Sequence, residues 1–316
     1  MLSLYKLQLS MLGTLALIIG ASTLFLAFLL SLMGIANIVA LVSLVVFFNL
    51  IQWLIAPKLI NFMYHVREIK ESEMPGLYSI VRRICAKANM SMPKLMLAKI
   101  PIPNAFAYGS PLTGRMVAVT EGLLKELEEE EVEAVIGHEL GHLKHRDVQI
   151  MMFASVLPAI FYFIGYSLML SSAYGNRREA GQLVIIGAIS MAIYWILSLL
   201  VLALSRLREY YADSFSARNV SDGARKLSEA LAKIVMSSGR LKAKGYDIGS
   251  LSAFKALFIS DPDRIQDMIE VSRSTSDTAL VEKVLSKPIT LTDKILEILS
   301  THPNIVKRLR ALRELY

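Results

Sequence analysis

A single cysteine, Cys85, stands among 316 residues, so the chain builds neither an internal disulfide framework nor a Cys-based zinc cluster. A lone thiol of this kind reads as a small buried hydrophobe rather than a nucleophile. Charge is scarce as well. Asp, Glu, Lys and Arg make up 19% of the chain, against about 25% in soluble domains. Hydrophobic residues make up 54%. The formal net charge of +7 comes without an Arg-rich tract or basic–aromatic interleaving, which argues against nucleic acid as a partner. The basic residues stand beside apolar runs instead, where they suit a membrane surface. Internal repeats and low-complexity tracts are also lacking.

The deficit of charge is concentrated. No Asp, Glu, Lys or Arg occurs in residues 7–57, 148–176 or 180–205. About 20 apolar residues cross a bilayer as a helix. The first run therefore holds two spans, expected near Met11–Met33 and Ile35–Ala56 with a hinge at 34–37. The other two runs hold one span each, and Arg177-Arg178-Glu179 between them reads as a turn. Buried core helices seldom run this far without a charge, so the runs read as membrane helices. The first span is too long for the apolar part of a cleaved signal peptide, and it is expected to be retained.

Basic residues near span ends set the orientation. Lys6, Lys58, Arg67, Lys70, Lys144, Arg146, Arg206 and Arg208 fall on one side, against Arg177 and Arg178 on the other. The majority side is cytosolic. The expected organisation is a transmembrane hairpin at 1–57, a cytosolic part at 58–147, a second hairpin at 148–205 and a cytosolic helical part at 206–316.

Between the hairpins, residues 58–92 read as helical, with a boundary at Met74 before Pro75. The apolar runs Lys94–Ile100, Asn104–Tyr108 and Met116–Val119 are separated by Pro101, Pro103, Gly109, Pro111 and Gly114. That punctuation predicts a small three-stranded sheet. Thr120 can cap a helix running to about Arg146, with Glu128–Glu131 as a solvated face near its positive end. Further helices are expected at Ser221–Ser238, Pro262–Glu270 and Asp293–Leu315, with a Gly- and Ser-rich loop at Ser238–Ser260.

The chemistry lies in Gly137-His138-Glu139-Leu140-Gly141-His142, which contains His-Glu-x-x-His. On a helix, histidines four apart share one face, and both imidazoles reach one Zn²⁺ at about 2.0–2.1 Å. Glu139 projects beside the first ligand as a general base, and zinc lowers the pKa of its water to about 7, within a carboxylate's reach. With five histidines in the chain, chance placement of this pattern on a helix is rare. The bland alternative is a surface histidine pair on an amphipathic helix.

A catalytic zinc site needs a third protein ligand. His145 stands too far along the helix from His138, and Glu179 lies on the far side of the membrane. Glu209 emerges from the fourth span on the face where the histidines wait, although an ordinary charged membrane flank would look the same. Asp213, one helical turn beyond Glu209, is placed to accept the free N–H of a ligand histidine.

The chain at this point resembles the HtpX family of membrane metalloproteases, relatives of the integral-membrane prenyl-protein (CAAX) endopeptidase. The likeness spans nearly the whole chain: two amino-terminal spans, the His138-Glu139-Leu140-Gly141-His142 helix, a two-span insertion, Arg208-Glu209-Tyr210-Tyr211-Ala212-Asp213, and Thr301-His302-Pro303. It implies a mainly α membrane protein of four transmembrane helices with a cytosolic zincin-like α+β catalytic domain on a small β-sheet. The family's Glu-x-x-Ala-Asp motif falls on Glu209 and makes it the third ligand to a single zinc ion. Asn104, Ala105, Phe106 and Ala107 match its Asn-Ala-Phe-Ala segment, an edge strand to which substrate backbone adds. His302 matches the late active-site histidine, assigned to oxyanion stabilisation, and Arg308 a recurring arginine six residues later.

The implied partners are the lipid bilayer and polypeptide substrates, misfolded or damaged membrane proteins cleaved at the cytosolic face in stress-response quality control. A prenyl-protein endopeptidase is the second enzymatic reading; four spans are too few for that enzyme's closed multi-helix chamber. A metal transporter would carry ionisable residues within its spans, and here the runs have none. An inactive scaffold is at odds with the intact set His138, Glu139, His142 and Glu209.

Overall fold

A computed structural model describes residues 38–174, 177–243 and 276–315. The expected span at Met11–Met33, the hinge at 34–37, the helix at Pro262–Glu270 and residues 244–260 of the expected loop lie outside the described residues. The chain divides into two units, one of Met1–Trp53 with Gln149–Leu202, the other of Leu54–Val148 with Ala203–Tyr316.

The first unit is built from stretches of three helices, α1 (Ile38–Met63), α5 (Asp147–Tyr174) and α6 (Arg177–Asn219). Each is long and apolar enough to cross a membrane. Their outward side chains, Phe153, Ile185 and Ile196 among them, suit hydrocarbon rather than water. Val45 packs with Phe163, and Tyr162 meets Tyr194 at 5.2 Å between ring centroids. Two of these helices outrun their expected spans. Helix α1 continues past Pro57 to Met63, and α6 continues without a break through Glu209 and Asp213 to Asn219.

The second unit holds a four-stranded mixed sheet of β1 (Val66–Glu68), β2 (Lys94–Ala98), β3 (Ala105–Ser110) and β4 (Gly114–Thr120), in the order β1-β2-β4-β3. Strands β2 and β4 run parallel, while β1 and β3 join antiparallel at either side. Three of the strands coincide with the expected apolar runs. Strand β1 was not foreseen, because Val66-Arg67-Glu68 shows no apolar alternation and becomes a strand only by pairing with β2.

Side-chain alternation explains why the other strands read as continuous apolar runs. Leu95, Leu97, Val117 and Val119 face a core shared with α2 (Pro75–Lys87), α4 (Glu129–Lys144) and α7 (Gly223–Ala243). Met96, Ala98, Met116 and Ala118 face the opposite way, against Ile60 and Tyr64 at the end of α1.

The helix expected from Thr120 to about Arg146 is two. Thr120 caps α3 (Glu121–Glu126), its hydroxyl accepting from Leu123 N–H at 3.1 Å. Glu128 then starts α4, its backbone N–H donating to the Glu131 carboxylate at 2.8 Å. Glu131 is therefore buried rather than solvated, and Lys233 Nζ lies 2.8 Å from its other oxygen. Helix α7 runs on to Ala243, into the stretch expected as loop. The helix α8 (Asp277–Leu285) follows, capped by Ser276. The single helix expected at Asp293–Leu315 is also two, α9 (Leu291–Ile298) and α10 (Ile305–Arg313), parted where Pro303 ends one pattern and Asn304 caps the next.

Candidate active site

Helix α4 carries His138 and His142 one turn apart, and the two glycines of the motif decide what lies against them. A Cβ on Gly141 would stand 3.0 Å from Ala212 Cα, and one on Gly137 would stand 2.8 Å from Ser216 Oγ. Their absence lets α6 approach closely, and Ser216 Oγ donates to Ala134 O across the contact at 2.6 Å. This approach carries Glu209 and Asp213 to the histidines.

Both imidazoles turn Nδ1 outward to a carboxylate and Nε2 inward. His138 Nδ1 lies 2.9 Å from Asp213 Oδ1, and His142 Nδ1 lies 2.7 Å from Asp147 Oδ2. A ring that gives its Nδ1–H to a carboxylate presents a bare lone pair at Nε2. The two Nε2 atoms stand 3.1 Å apart. At that separation the two nitrogens share either a proton or a cation. Glu209 completes the set, with Oε1 3.5 Å from His142 Nε2 and Oε2 3.8 Å from His138 Nε2. Three ligands of one tetrahedral ion at the usual bond lengths stand roughly 3.3 Å apart. The donor set fits a divalent metal.

Glu139 lies beside them, its carboxylate and the imidazole nitrogens all within 4.8 Å of one another. Burial pushes the Glu139 carboxyl up to about 7, with His142 opposing and Glu209 adding to the shift. Burial likewise lowers the His138 pKa, outweighing the pull of Asp213, and keeps the ring in the neutral form that ligates.

Arg308, 1% exposed, binds both remaining acids. Its Nε and Nη2 donate to Asp213 at 2.9 and 2.6 Å, and its Nη1 lies 3.1 Å from Glu209 Oε2. Burial works against the Arg308 charge, but Asp213 and Glu209 outweigh it and raise its pKa above the ordinary arginine value. His302 Nδ1 is 3.3 Å from the same Glu209 oxygen, and among the described residues His302 Nε2 has no hydrogen-bond partner. The loop that presents His302 is held by Arg206, which donates to Glu297 O and Ser300 O, and by Asn304 N–H, which donates to the Glu297 carboxylate.

The segment Asn104–Ala107 enters through its backbone. Asn104 O accepts from Thr120 N–H at 3.0 Å. In an antiparallel ladder that pairs Asn104, Phe106 and Tyr108 with β4 and turns the amide groups of Ala105 and Ala107 to the other side. Strand β3 ends the sheet, and the Ala107 N–H reaches the Glu139 carboxylate there. Phe106 itself is core, tilted against Tyr64 and Tyr108.

The structure thus gathers His138, Glu139, His142, Glu209, Asp213, His302 and Arg308, with the Ala107 amide at their side. His145 stays apart, its ring against Tyr211 and Phe215. Sequence reasoning missed Asp147 and its ion-pair partner Arg208. The available signal was an acid five residues past His142, just outside the motif.

Imidazoles with converging Nε2 atoms, a raised carboxyl and an adjoining edge strand, on a chain of membrane-length helices, define a membrane-bound metallopeptidase. Residues 71–316 match the sequence model of Peptidase family M48. The chain is 37% identical to the protease HtpX homolog of Thermoplasma acidophilum over 287 residues, 89% of this chain and 87% of that protein. It is 43% identical to the protease HtpX homolog 2 of Saccharolobus solfataricus over 65% of each chain. The crystal structure of S. mikatae Ste24p shares its fold, with a TM-score of 0.54 over 99% of this chain and 67% of that one, at 16% identity. The chain belongs to peptidase family M48.

Proposed function

We propose that the chain is a zinc endopeptidase, held in the cell membrane by four transmembrane helices, that hydrolyses membrane or misfolded polypeptides at the cytosolic face in quality control. The observation that carries the reading is the convergence of His138 Nε2, His142 Nε2 and the Glu209 carboxylate beside Glu139. These three would hold the ion, and two imidazoles with one carboxylate suit zinc among divalent metals. Bound there, zinc supplies Lewis acidity to the scissile carbonyl and the attacking water.

The chain's own groups account for the rest. An extended substrate adds to the edge strand at Asn104–Ala107, which sets its backbone beside Glu139. Glu139 takes the proton of the attacking water and hands it to the departing amine, so hydrolysis needs no covalent intermediate. His302 stabilises the developing oxyanion through Nε2–H, which requires the doubly protonated ring, since Nδ1 faces Glu209. Arg308 keeps Glu209 and Asp213 ionised and in place. The cytosolic assignment of residues 58–147 and 206–316, flanking hairpins at 1–57 and 148–205, follows the excess of basic residues on that side.

The fold likeness to Ste24p favours a second reading, a prenyl-protein (CAAX-type) endopeptidase. Purified protein in detergent separates the possibilities. Zinc near one per chain and casein hydrolysis are expected, with Glu139→Gln keeping the zinc and losing activity by about 10²–10⁴-fold. Undiminished hydrolysis in that variant removes Glu139 from its role. Cleavage of a farnesylated peptide without cleavage of casein selects the second reading.

A further inference from the structure

Behind each imidazole stands a carboxylate, and behind each carboxylate a guanidinium. The pair Asp213–Arg308 backs His138. On the other side Asp147 offers Oδ2 to His142 Nδ1 at 2.7 Å, while its Oδ1 is ion-paired with Arg208. Asp147 is buried, and Arg208 is largely so, held further by donation from Nη2 to His145 O at 3.2 Å. An acid in the first turn of a helix, as Asp147 is in α5, gains from the helix dipole alone. That bland account leaves the aim of the side chain unexplained. Arg146, just before it, takes a left-handed backbone (φ 57°), which a non-glycine residue adopts only at a cost. The turn folds Asp147 back beneath the last turn of α4 and onto the His142 ring.

We infer that Asp147, fixed by Arg208, is a positioning residue for the His142 ligand and that this clamp sets the affinity of the site for its divalent metal. The inference rests on the metal reading above. Asp147 holds the Nδ1–H tautomer of His142, which leaves Nε2 bare and facing His138 and Glu209. Arg208 prevents the carboxylate from swinging toward water. Since Asp147 opens α5 and Arg208 precedes Glu209 on α6, the clamp ties a ligand on α4 to the first turn of α5 and to α6.

The test measures zinc dissociation constants of the full-length protein in detergent by chelator competition, together with melting of the metal-free form. Asp147→Ala removes the acceptor and is expected to weaken zinc binding about 10–100-fold. Asp147→Asn keeps an acceptor without the charge and recovers part of the loss. Asp147→Ala leaves Arg208 buried without its carboxylate and can fail to fold, so the double variant Asp147→Ala/Arg208→Met carries the same expectation with that charge removed. Wild-type zinc affinity in the double variant, even with a lowered melting temperature, makes the clamp merely structural and overturns the inference. A wild type that binds no zinc at all overturns the metal reading itself and this inference with it.

Discussion

One side chain, Arg308, neutralises two buried acids, and its removal has a calculable direction. Asp213 and Glu209 are each at most 5% exposed, so neither finds water when the guanidinium is lost. Breaking a buried pair by deleting one partner costs about 3–5 kcal/mol. Arg308→Met is expected to destabilise the metal-free protein by that amount, and adding Asp213→Asn to recover a part, since the two residues share one interaction. Thermal melting of Arg308→Met, Asp213→Asn and the double variant in one detergent checks this; additive losses would mean the pair is not coupled. At this scale the sequence was informative where spacing encodes geometry. The i, i+4 histidines could be read directly, Glu209 stood level with an ordinary membrane flank until the resemblance favoured it, and Arg308 came through resemblance alone. Asp147 offered only its spacing, because the left-handed turn at Arg146 that redirects it has no marker when the residue is not glycine.

The close crossing of α4 and α6 is the element on which the site depends, and glycine makes it possible. Gly141→Ala would place a methyl 3.0 Å from Ala212 Cα and 3.1 Å from Phe215 Cβ, so one helix must give way by a few tenths of an ångström. Overpacking of this kind costs about 1–3 kcal/mol. Because Glu209 and Asp213 ride on the displaced helix, zinc affinity should fall along with melting temperature. A Gly141→Ala protein with wild-type zinc binding would show that the crossing has slack. The same elements mark what a sequence reveals about a fold of this type. Charge-free runs located α1, α5 and α6, since a charge within a membrane-length helix is costly. The breaks at Leu127–Glu128 and at Pro303 stayed hidden within apparently continuous helical patterns. Strand β1 stayed hidden too, because its partner lies almost thirty residues away in β2.

Taken as a whole, the second unit is stapled at one point by segments far apart in the chain: α4, the far end of α6, and the stretch from His302 to Arg308. No single element holds the three ligands, so an ion bound by His138, His142 and Glu209 joins α4 to α6 as a tertiary bond. Mass action then links metal to stability, because a ligand of the folded state alone contributes about 4.1 kcal/mol at a thousandfold excess over its dissociation constant. Stripping metal with a chelator is expected to abolish peptidase activity and lower the melting temperature, and stoichiometric zinc to restore both. Glu139→Gln retains all three ligands and should show the full zinc-dependent rise in melting temperature without recovering activity. Glu209→Gln loses the charged ligand and should show a much smaller rise. A melting temperature indifferent to zinc in the wild type would mean that the histidines and Glu209 meet without an ion to join them.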